Sequence, residues 1–205
     1  MSVTEAEKAG ATTVSPEVAD LARRVMASRD NEGMPYVIID KAHATVSVFD
    51  AAGQLRASAP ALLGLASGDH SVEGVGDQPM SAIRPQDRIT PAGRFVASLG
   101  RDPHGREILW VDYADAIALH PVVKGTPQER RAERLASPNP ADNRISYGCI
   151  NVPPAFYQQF ISPAFAGSSG IVYILPEKDG TPPLRGSELV AGEAATPAIG
   201  PPSPP

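Results

Sequence analysis

Residues 36–50 read YVIIDKAHATVSVFD, and this stretch indicates the fold class more clearly than any other part of the chain. Its first four residues are apolar and rich in β-branched side chains, which is typical of a buried strand. Its last six residues, from Thr45 to Asp50, alternate with period two, as a strand with one buried face does. The stretch therefore predicts two strands at the start of a β-rich domain.

Further apolar runs predict more strands on the C-terminal side, at residues 55–65, 108–111, 116–119 and 171–175. Two short helices interrupt them. One spans residues 126–135 and opens with a capping box at Thr126 and Glu129, and the other begins near Pro154 and ends before Pro163. We expect one mainly β domain with a few short helices, its strands predominantly antiparallel.

The two ends of the chain differ in composition from its middle. Ser15 and Pro16 have the pattern of an N-cap and a first helical residue. The last residues combine proline with Gly, Ala, Ser and Thr, a composition that buries too little apolar surface to fold. We expect a mobile N-terminus over residues 1–14, an N-terminal helix and linker over 15–35, the main domain over 36–178 and a Pro-rich flexible tail over 179–205.

Composition excludes several classes of function. A net charge of −5 gives no electrostatic reason to expect a nucleic-acid partner. No run approaches the roughly 20 apolar residues of a transmembrane segment, and the first residues show no signal peptide. The single cysteine cannot form an intramolecular disulfide. Nothing in the sequence fixes the oligomeric state.

That cysteine, Cys149, lies in residues 144–151, which read RISYGCIN. It follows a glycine at the end of an irregular stretch, where nearby backbone N–H groups can receive an oxyanion after thiol attack on a carbonyl. A catalytic cysteine should also react readily with electrophiles and have a depressed pKa. A lone cysteine is more often a small buried apolar residue, and from composition this alternative stays open.

A cysteine nucleophile needs a base, and the chain has four histidines. His43, His70 and His104 lie in predicted turns or polar loops. His120 ends a predicted apolar strand, from which a side chain can project into a cleft while the strand fixes the backbone. His120 and Cys149 are therefore the candidate pair for nucleophilic acyl transfer.

These residues resemble the L,D-transpeptidase catalytic domain (YkuD-type). The family motif is an upstream histidine, a spacer, then Ser/Thr-His-Gly-Cys, an apolar residue and Asn or Arg. The matching positions here are His120, Ser146, Gly148, Cys149, Ile150 and Asn151. Residues 36–50 are similar to the opening hairpin of the family, residues 90–95 to its Thr-Pro-x-Gly-x-Phe turn, and residues 171–175 to its closing strand.

Three features depart from the family pattern. Tyr147 replaces the motif histidine, and a tyrosine cannot become cationic near neutral pH to stabilise a thiolate. The spacer between His120 and Cys149 is longer than usual because it contains the predicted helix over residues 126–135. Pro121 follows His120 where the family has glycine.

The resemblance implies an L,D-transpeptidase-like β-sandwich or barrel and a peptidoglycan L,D-transpeptidase activity. Cys149 would form an acyl-enzyme with a stem tetrapeptide, releasing D-alanine, and an amine would accept the acyl group. His120 would move the proton, while Ser146, Tyr147, Gly148 and Asn151 would position the substrate and the oxyanion. The resemblance implies no cofactor or metal, peptidoglycan stem peptides as partners, and the bacterial periplasm or cell envelope as location.

Three alternatives stay open. The domain could bind peptidoglycan without catalysis, act as an L,D-carboxypeptidase with water as acceptor, or attach a protein to the cell wall. A separate basic group, formed by Arg130, Arg131, Arg134 and Arg144, could meet substrate carboxylates. We interpret it as a solvated helix face, because Glu129 and Glu133 are interleaved with the arginines.

Overall fold

The structure, a computed structural model, describes residues 14–178. Except for residue 14, the predicted mobile N-terminus and the predicted Pro-rich tail lie outside this range. Helix α1, Pro16–Ser28, begins as the sequence predicts, with the Ser15 Oγ accepting the Val18 N–H at 3.3 Å. The residue after the helix, Arg29, has a left-handed backbone, and its N–H bonds to the Met26 and Val25 carbonyls of the last turn.

Ten strands form the body of the domain within residues 14–178. They are β1 Tyr36–Asp40, β2 Thr45–Phe49, β3 Leu55–Pro60, β4 Leu63–Gly64, β5 Gly93–Arg101, β6 Glu107–Asp112, β7 Ile117–Pro121, β8 Arg144–Ser146, β9 Ile150–Val152 and β10 Gly170–Ile174. Eight of them make one sheet in the order β3-β2-β1-β10-β5-β6-β7-β9, and β4 pairs with β8 separately. The mainly β fold with a few short helices is therefore confirmed.

The large sheet is predominantly antiparallel, as predicted, but two of its strand pairs are parallel. These are β1–β10 and β7–β9, and each joins strands that are far apart in sequence. Just after β3, the Leu62 N–H donates to the Asn151 carbonyl at 2.8 Å, and the Asn151 N–H donates back at 2.9 Å. This bridge brings the β3 end of the sheet to β9, so the sheet nearly closes on itself.

Both predicted helices differ from the sequence-based expectation. The first is divided into two segments. A 3₁₀ turn at Pro127–Glu129 carries the predicted capping box, and helix α2 follows it over Arg131–Ala136. Arg130 separates them because its φ of 46° is left-handed. The second continues through Pro163 as α3 Pro154–Phe156, a π turn Tyr157–Ile161 and α4 Ser162–Phe165. The π turn changes the hydrogen-bond pattern ahead of the proline, which has no N–H to donate.

The sheet is covered by apolar side chains on both faces, which explains the continuous apolar run of β1. Tyr36 and Ile38 pack against α1, whereas Val37 and Ile39 pack into the interior of the nearly closed sheet. All four side chains are fully buried. Residues 68–88 form a long connection that contains only three short 3₁₀ turns, at Val75–Asp77, Met80–Ala82 and Pro85–Asp87. Among the helices described, none has the length and apolarity to cross a membrane.

Candidate active site

The parallel pairing of β7 with β9 brings the predicted site residues together. His120 is in register with Asn151, and Cys149 immediately precedes β9. An open cleft of about 600 Å³ lies along this edge, and its walls include His120, Ser146, Tyr147, Cys149 and Asn151. Gly148 does not line the cleft and is buried behind it. Residues 31 positions apart in sequence thus meet because two short strands pair.

The hydrogen bonds of His120 define which of its ring nitrogens carries the proton. Nδ1 lies 2.9 Å from the Pro121 carbonyl oxygen, so it is the protonated donor. Nε2 is then the acceptor, and the Asn151 Nδ2 faces it at 3.4 Å. Burial lowers the pKa of His120; the Pro121 bond opposes this, and the positive charges of Arg106 and Arg131 add to it. The ring is therefore neutral near pH 7 and able to accept a proton at Nε2.

Cys149 is in the protonated thiol form in this environment. The Sγ lies 3.6 Å from the Ala116 carbonyl oxygen, a contact that suits S–H donation. Burial raises the pKa of Cys149 above its ordinary value of 9.0, although the neighbouring Ala118 backbone lowers it in part. This direction is opposite to the depressed pKa that a catalytic cysteine should show. Attack by Cys149 therefore requires a base, rather than a thiolate already present.

Ser146 shapes the loop that carries Cys149. Its hydroxyl donates to the Cys149 carbonyl at 2.6 Å and accepts the Gly148 N–H at 3.1 Å. The Gly148 N–H is therefore engaged, so the N–H groups of Tyr147 and Cys149 are the candidates for oxyanion binding. Only glycine fits at 148, because its φ is 131° and an added Cβ would lie 2.7 Å from the Ile89 carbonyl oxygen.

Thr90 fixes the same loop from behind, a role that the sequence reasoning did not identify. Its fully buried hydroxyl donates to the Gly148 carbonyl at 2.7 Å and accepts the Gly64 N–H at 2.9 Å. The only sequence signal was its place at the start of the Thr-Pro-x-Gly-x-Phe turn. Because its hydroxyl both donates and accepts, Thr90 holds Gly148 in a backbone conformation that other residues rarely adopt.

A buried lysine supports Thr90 in turn. Lys41 has no exposed side-chain surface, and its Nζ donates to Asp69 at 2.7 Å and to the carbonyls of Gly68 and Thr90 at 2.6 and 2.9 Å. Burial raises the pKa of Asp69, but the hydrogen bonds from Lys41 and the Glu177 N–H, together with the charge of Lys41, outweigh it and lower that pKa overall. Glu177 completes the cluster, 3.7 Å from the Lys41 Nζ.

Tyr147, which replaces the motif histidine, packs under an arginine. The Arg88 guanidinium lies 3.9 Å from the centre of the Tyr147 ring, in cation–π geometry. Two nitrogens of Arg88 also donate to the Ile83 carbonyl, at 3.2 and 3.1 Å. The ring is therefore held as part of the cleft wall.

The basic group that we interpreted as a solvated helix face divides into different environments. Arg130 fits that interpretation, with 67% of its side chain exposed. Arg131 does not: it is 12% exposed, lines the cleft and donates to the Asn151 Oδ1 at 2.9 Å. Arg144 is also an exception, because it is largely buried and bonded to Glu177 at 2.8 Å. The glutamates interleaved with the arginines suggested a uniformly solvated face, so the sequence pattern did not distinguish these environments.

The arrangement has the parts of a general-base acyl-transfer site: a thiol, a neutral imidazole whose Nε2 is an acceptor, an amide, and the Tyr147 and Cys149 N–H groups as candidate oxyanion donors. Within residues 14–178, the one cluster with spacing suitable for a metal is Glu17, Asp40 and His43 at the start of α1. None of these three residues lines the cleft.

No protein-family model and no curated protein matches the chain. Among solved structures, the helical cell shape determining protein Pgp2 from Campylobacter jejuni is similar at 15% identity and a TM-score of 0.48, over 71% of this chain and 49% of that one. The chain thus spans about half the length of that protein. The catalytic domain of the E. faecium L,D-transpeptidase is similar at 16% identity and a TM-score of 0.34, over 68% of this chain and 95% of that domain. Mycobacterium tuberculosis L,D-transpeptidase 1 is similar at 15% identity and a TM-score of 0.36, over 68% and 60% of the two chains.

Proposed function

We propose that the chain is a cysteine acyltransferase of the L,D-transpeptidase type that acts on peptidoglycan stem peptides. The observation that carries the proposal is a single cleft lined by Cys149, His120 and Asn151, in which the Asn151 Nδ2 lies 3.4 Å from His120 Nε2. The resemblance of residues 36–176 to the family supports the choice of substrate. We take residues 36–178 as the catalytic domain and the bacterial cell envelope as its location.

The reaction follows from the protonation states of the two groups. His120 Nε2 takes the thiol proton as the Cys149 sulfur attacks the carbonyl of the L-centre in a stem tetrapeptide. The Tyr147 and Cys149 N–H groups receive the oxyanion, and such donors contribute about 3–4 kcal/mol each in acyl-transfer enzymes. The C–N bond then breaks, and the leaving D-alanine nitrogen takes the proton from His120. An amine acceptor attacks the thioester, gives a proton to His120 and releases the cysteine thiol.

Asn151 supports this cycle from one side of the imidazole. Its Oδ1 accepts from Arg131, which leaves its Nδ2 to donate to the Cys149 carbonyl at 3.3 Å and to face His120 Nε2. This bond pattern keeps Nε2 an acceptor, as a base must be. Asn151 thus positions the base, and Ser146 positions the backbone that carries the nucleophile.

A second candidate function is a peptidoglycan-binding module without turnover. Two observations favour it: the thiol is bonded to the Ala116 carbonyl with a raised pKa, and Tyr147 replaces the motif histidine. Hydrolysis by water, or transfer to a protein amine, would use the same acyl-enzyme and differ only in the acceptor.

Intact-protein mass spectrometry after incubation with a disaccharide-tetrapeptide separates these functions. We expect an acyl adduct on the native chain, release of D-alanine, and neither with Cys149→Ala. Both proteins must show the same thermal unfolding midpoint, which establishes that the variant is folded. A native, folded chain that gives no adduct and no D-alanine would exclude the acyltransferase and favour the binding module. Product analysis with an added amine then distinguishes transfer from hydrolysis.

A further inference from the structure

The Arg131 guanidinium, on the wall of the cleft, has N–H groups available to a ligand. Its Nε donates to Glu129 at 2.6 Å and its Nη1 to the Asn151 Oδ1 at 2.9 Å. A guanidinium has five N–H donors, so these two bonds leave others for a ligand. The side chain retains some exposure, and Arg131 is a lining residue of the cleft. The two bonds also fix the orientation of the guanidinium before any ligand arrives.

The position of Arg131 relates it to one end of the substrate. Its partner Asn151 faces His120 Nε2, the atom that returns a proton to the leaving nitrogen. In a peptide cleaved before its last residue, a single Cα separates that nitrogen from the terminal carboxylate. When the leaving nitrogen is at His120, the carboxylate carbon therefore lies two bonds from that nitrogen, and Arg131 lies beside this region because it bonds to the Asn151 that faces His120.

The other cleft arginine is less suited to this role. Arg106 is 59% exposed and already forms an ion pair with Asp102 at 2.7 Å. Glu107, also on the cleft wall, is exposed and adds negative charge near Arg106. Arg131 also forms an ion pair, with Glu129 at 2.6 Å, but it is less exposed than Arg106 and its second bond is to a neutral amide.

We propose that Arg131 is a specificity-determining residue that binds the terminal carboxylate of the donor peptide. This inference rests on the proposed function, because it places the leaving residue at His120. Glu129 holds the guanidinium edge that faces away from Asn151, and the free N–H groups form charge-assisted hydrogen bonds with the carboxylate. The segment between β7 and β8, which lengthens the spacer between His120 and Cys149, thereby supplies substrate selection.

The test measures peptide binding in the full chain carrying Cys149→Ala, so that no chemistry occurs. Its two probes are a stem tetrapeptide with a free terminal carboxylate and the same peptide with a terminal carboxamide. We expect the carboxylate form to bind about ten-fold more tightly or better, because a charge-assisted bond to a carboxylate is lost in the amide. Adding Arg131→Gln, which retains a donor for Asn151, should reduce the ratio of the two dissociation constants to about one. Adding Arg130→Gln instead, on the exposed neighbour, should leave the preference unchanged.

Other results would overturn the inference. The first is that the protein with Arg131 intact binds the two peptides equally, or binds neither. The second is that Arg131→Gln weakens the binding of both peptides equally, which would show that Arg131 has a purely structural role. If the glutamine variant does not fold, Arg131→Lys retains the charge and should keep a measurable part of the preference; losing it entirely would also contradict the inference. Failure of the native chain to form an acyl adduct would instead overturn the proposed function, and the binding preference would still be measurable.

Discussion

On the α1 side of the sheet, Leu21 and Tyr36 are fully buried among apolar neighbours from α1, β1 and β10. At the β7–β9 edge, His120 and Cys149 remain partly exposed, and their surroundings are held by side chain to backbone hydrogen bonds. Apolar burial of this kind stabilises the fold without requiring exact positions. The cleft edge contributes less burial but requires defined atom positions. We therefore expect substitutions on the two sides to separate stability from activity.

Each side also contains a buried ionic cluster, and the two clusters connect different segments of the chain. On the α1 side, Asp30 accepts from Arg94 at 2.7 Å and from the Tyr173 hydroxyl, which ties the end of α1 to β5 and β10. Behind the cleft, Lys41 bonds to Asp69 and to the Thr90 carbonyl. The first cluster joins regular elements, whereas the second joins loops that lead to Gly148. The second is therefore where stability and site geometry are coupled.

Of the substitutions considered, His120→Gln should separate activity from stability most clearly. This change removes the base and should lower the acylation rate about 10²–10⁴-fold while shifting the unfolding midpoint little, because glutamine retains a polar group at the site. Acyl-adduct formation followed by mass spectrometry measures the rate. His104→Gln is the matched control, since His104 is exposed on the same cleft wall in the β5–β6 turn. Comparable rate losses in the two variants would contradict the assignment of His120 as base.

Lys41→Met should affect both stability and site geometry. It removes the cation from a buried cluster and leaves Asp69 and Glu177 without it, a change that typically costs about 3–5 kcal/mol of unfolding free energy. Chemical denaturation measures the loss, and Lys124→Met, at an exposed lysine, should be close to neutral. Reduced acylation by the fraction that remains folded would show the coupling through Thr90. A loss of less than 1 kcal/mol would show that the cluster is dispensable.

Leu21→Ala tests the α1 side alone. A fully buried leucine replaced by alanine costs about 2–5 kcal/mol, through lost burial and the cavity left behind. Acylation per folded molecule should be unchanged, because Leu21 does not line the cleft. Leu65→Ala, with 37% of the leucine exposed, is the control and should cost much less. If Leu21→Ala slowed acylation by folded protein, the two sides would not be independent.

The protonation state of Cys149 gives a pH-dependent prediction of smaller effect. Burial raises the thiol pKa above 9.0, so the thiolate fraction is small at neutral pH and grows as pH rises. The rate of iodoacetamide alkylation should therefore increase with pH, with its midpoint above 9.0. His120→Gln should leave that midpoint nearly unchanged, because the imidazole is already neutral. A midpoint below 7 in the native chain would instead indicate a thiolate–imidazolium pair.

Local sequence patterns predicted the regular elements well. The alternation in residues 45–50 predicted β2, and Ser15 with Pro16 predicted the start of α1, because each signal depends on residues within one turn or one strand. The same patterns failed where a single backbone angle or a turn type intervened. The left-handed Arg130 divided the first helix, and the π turn carried the second past Pro163. Neither feature has a clear local signature.

By itself, the sequence determined that the chain forms a mainly β domain, and it singled out Cys149 and His120 as candidates. Only the tertiary structure decided that Thr90 bonds Gly148, 58 positions away, and that Arg131 bonds Asn151, 20 positions away. The reason is physical: strand and helix formation follow from the period of neighbouring side chains, whereas these contacts exist only after β7 and β9 have paired and the sheet has nearly closed. The thiol pKa follows the same logic, because burial is a property of the folded chain and not of the residue.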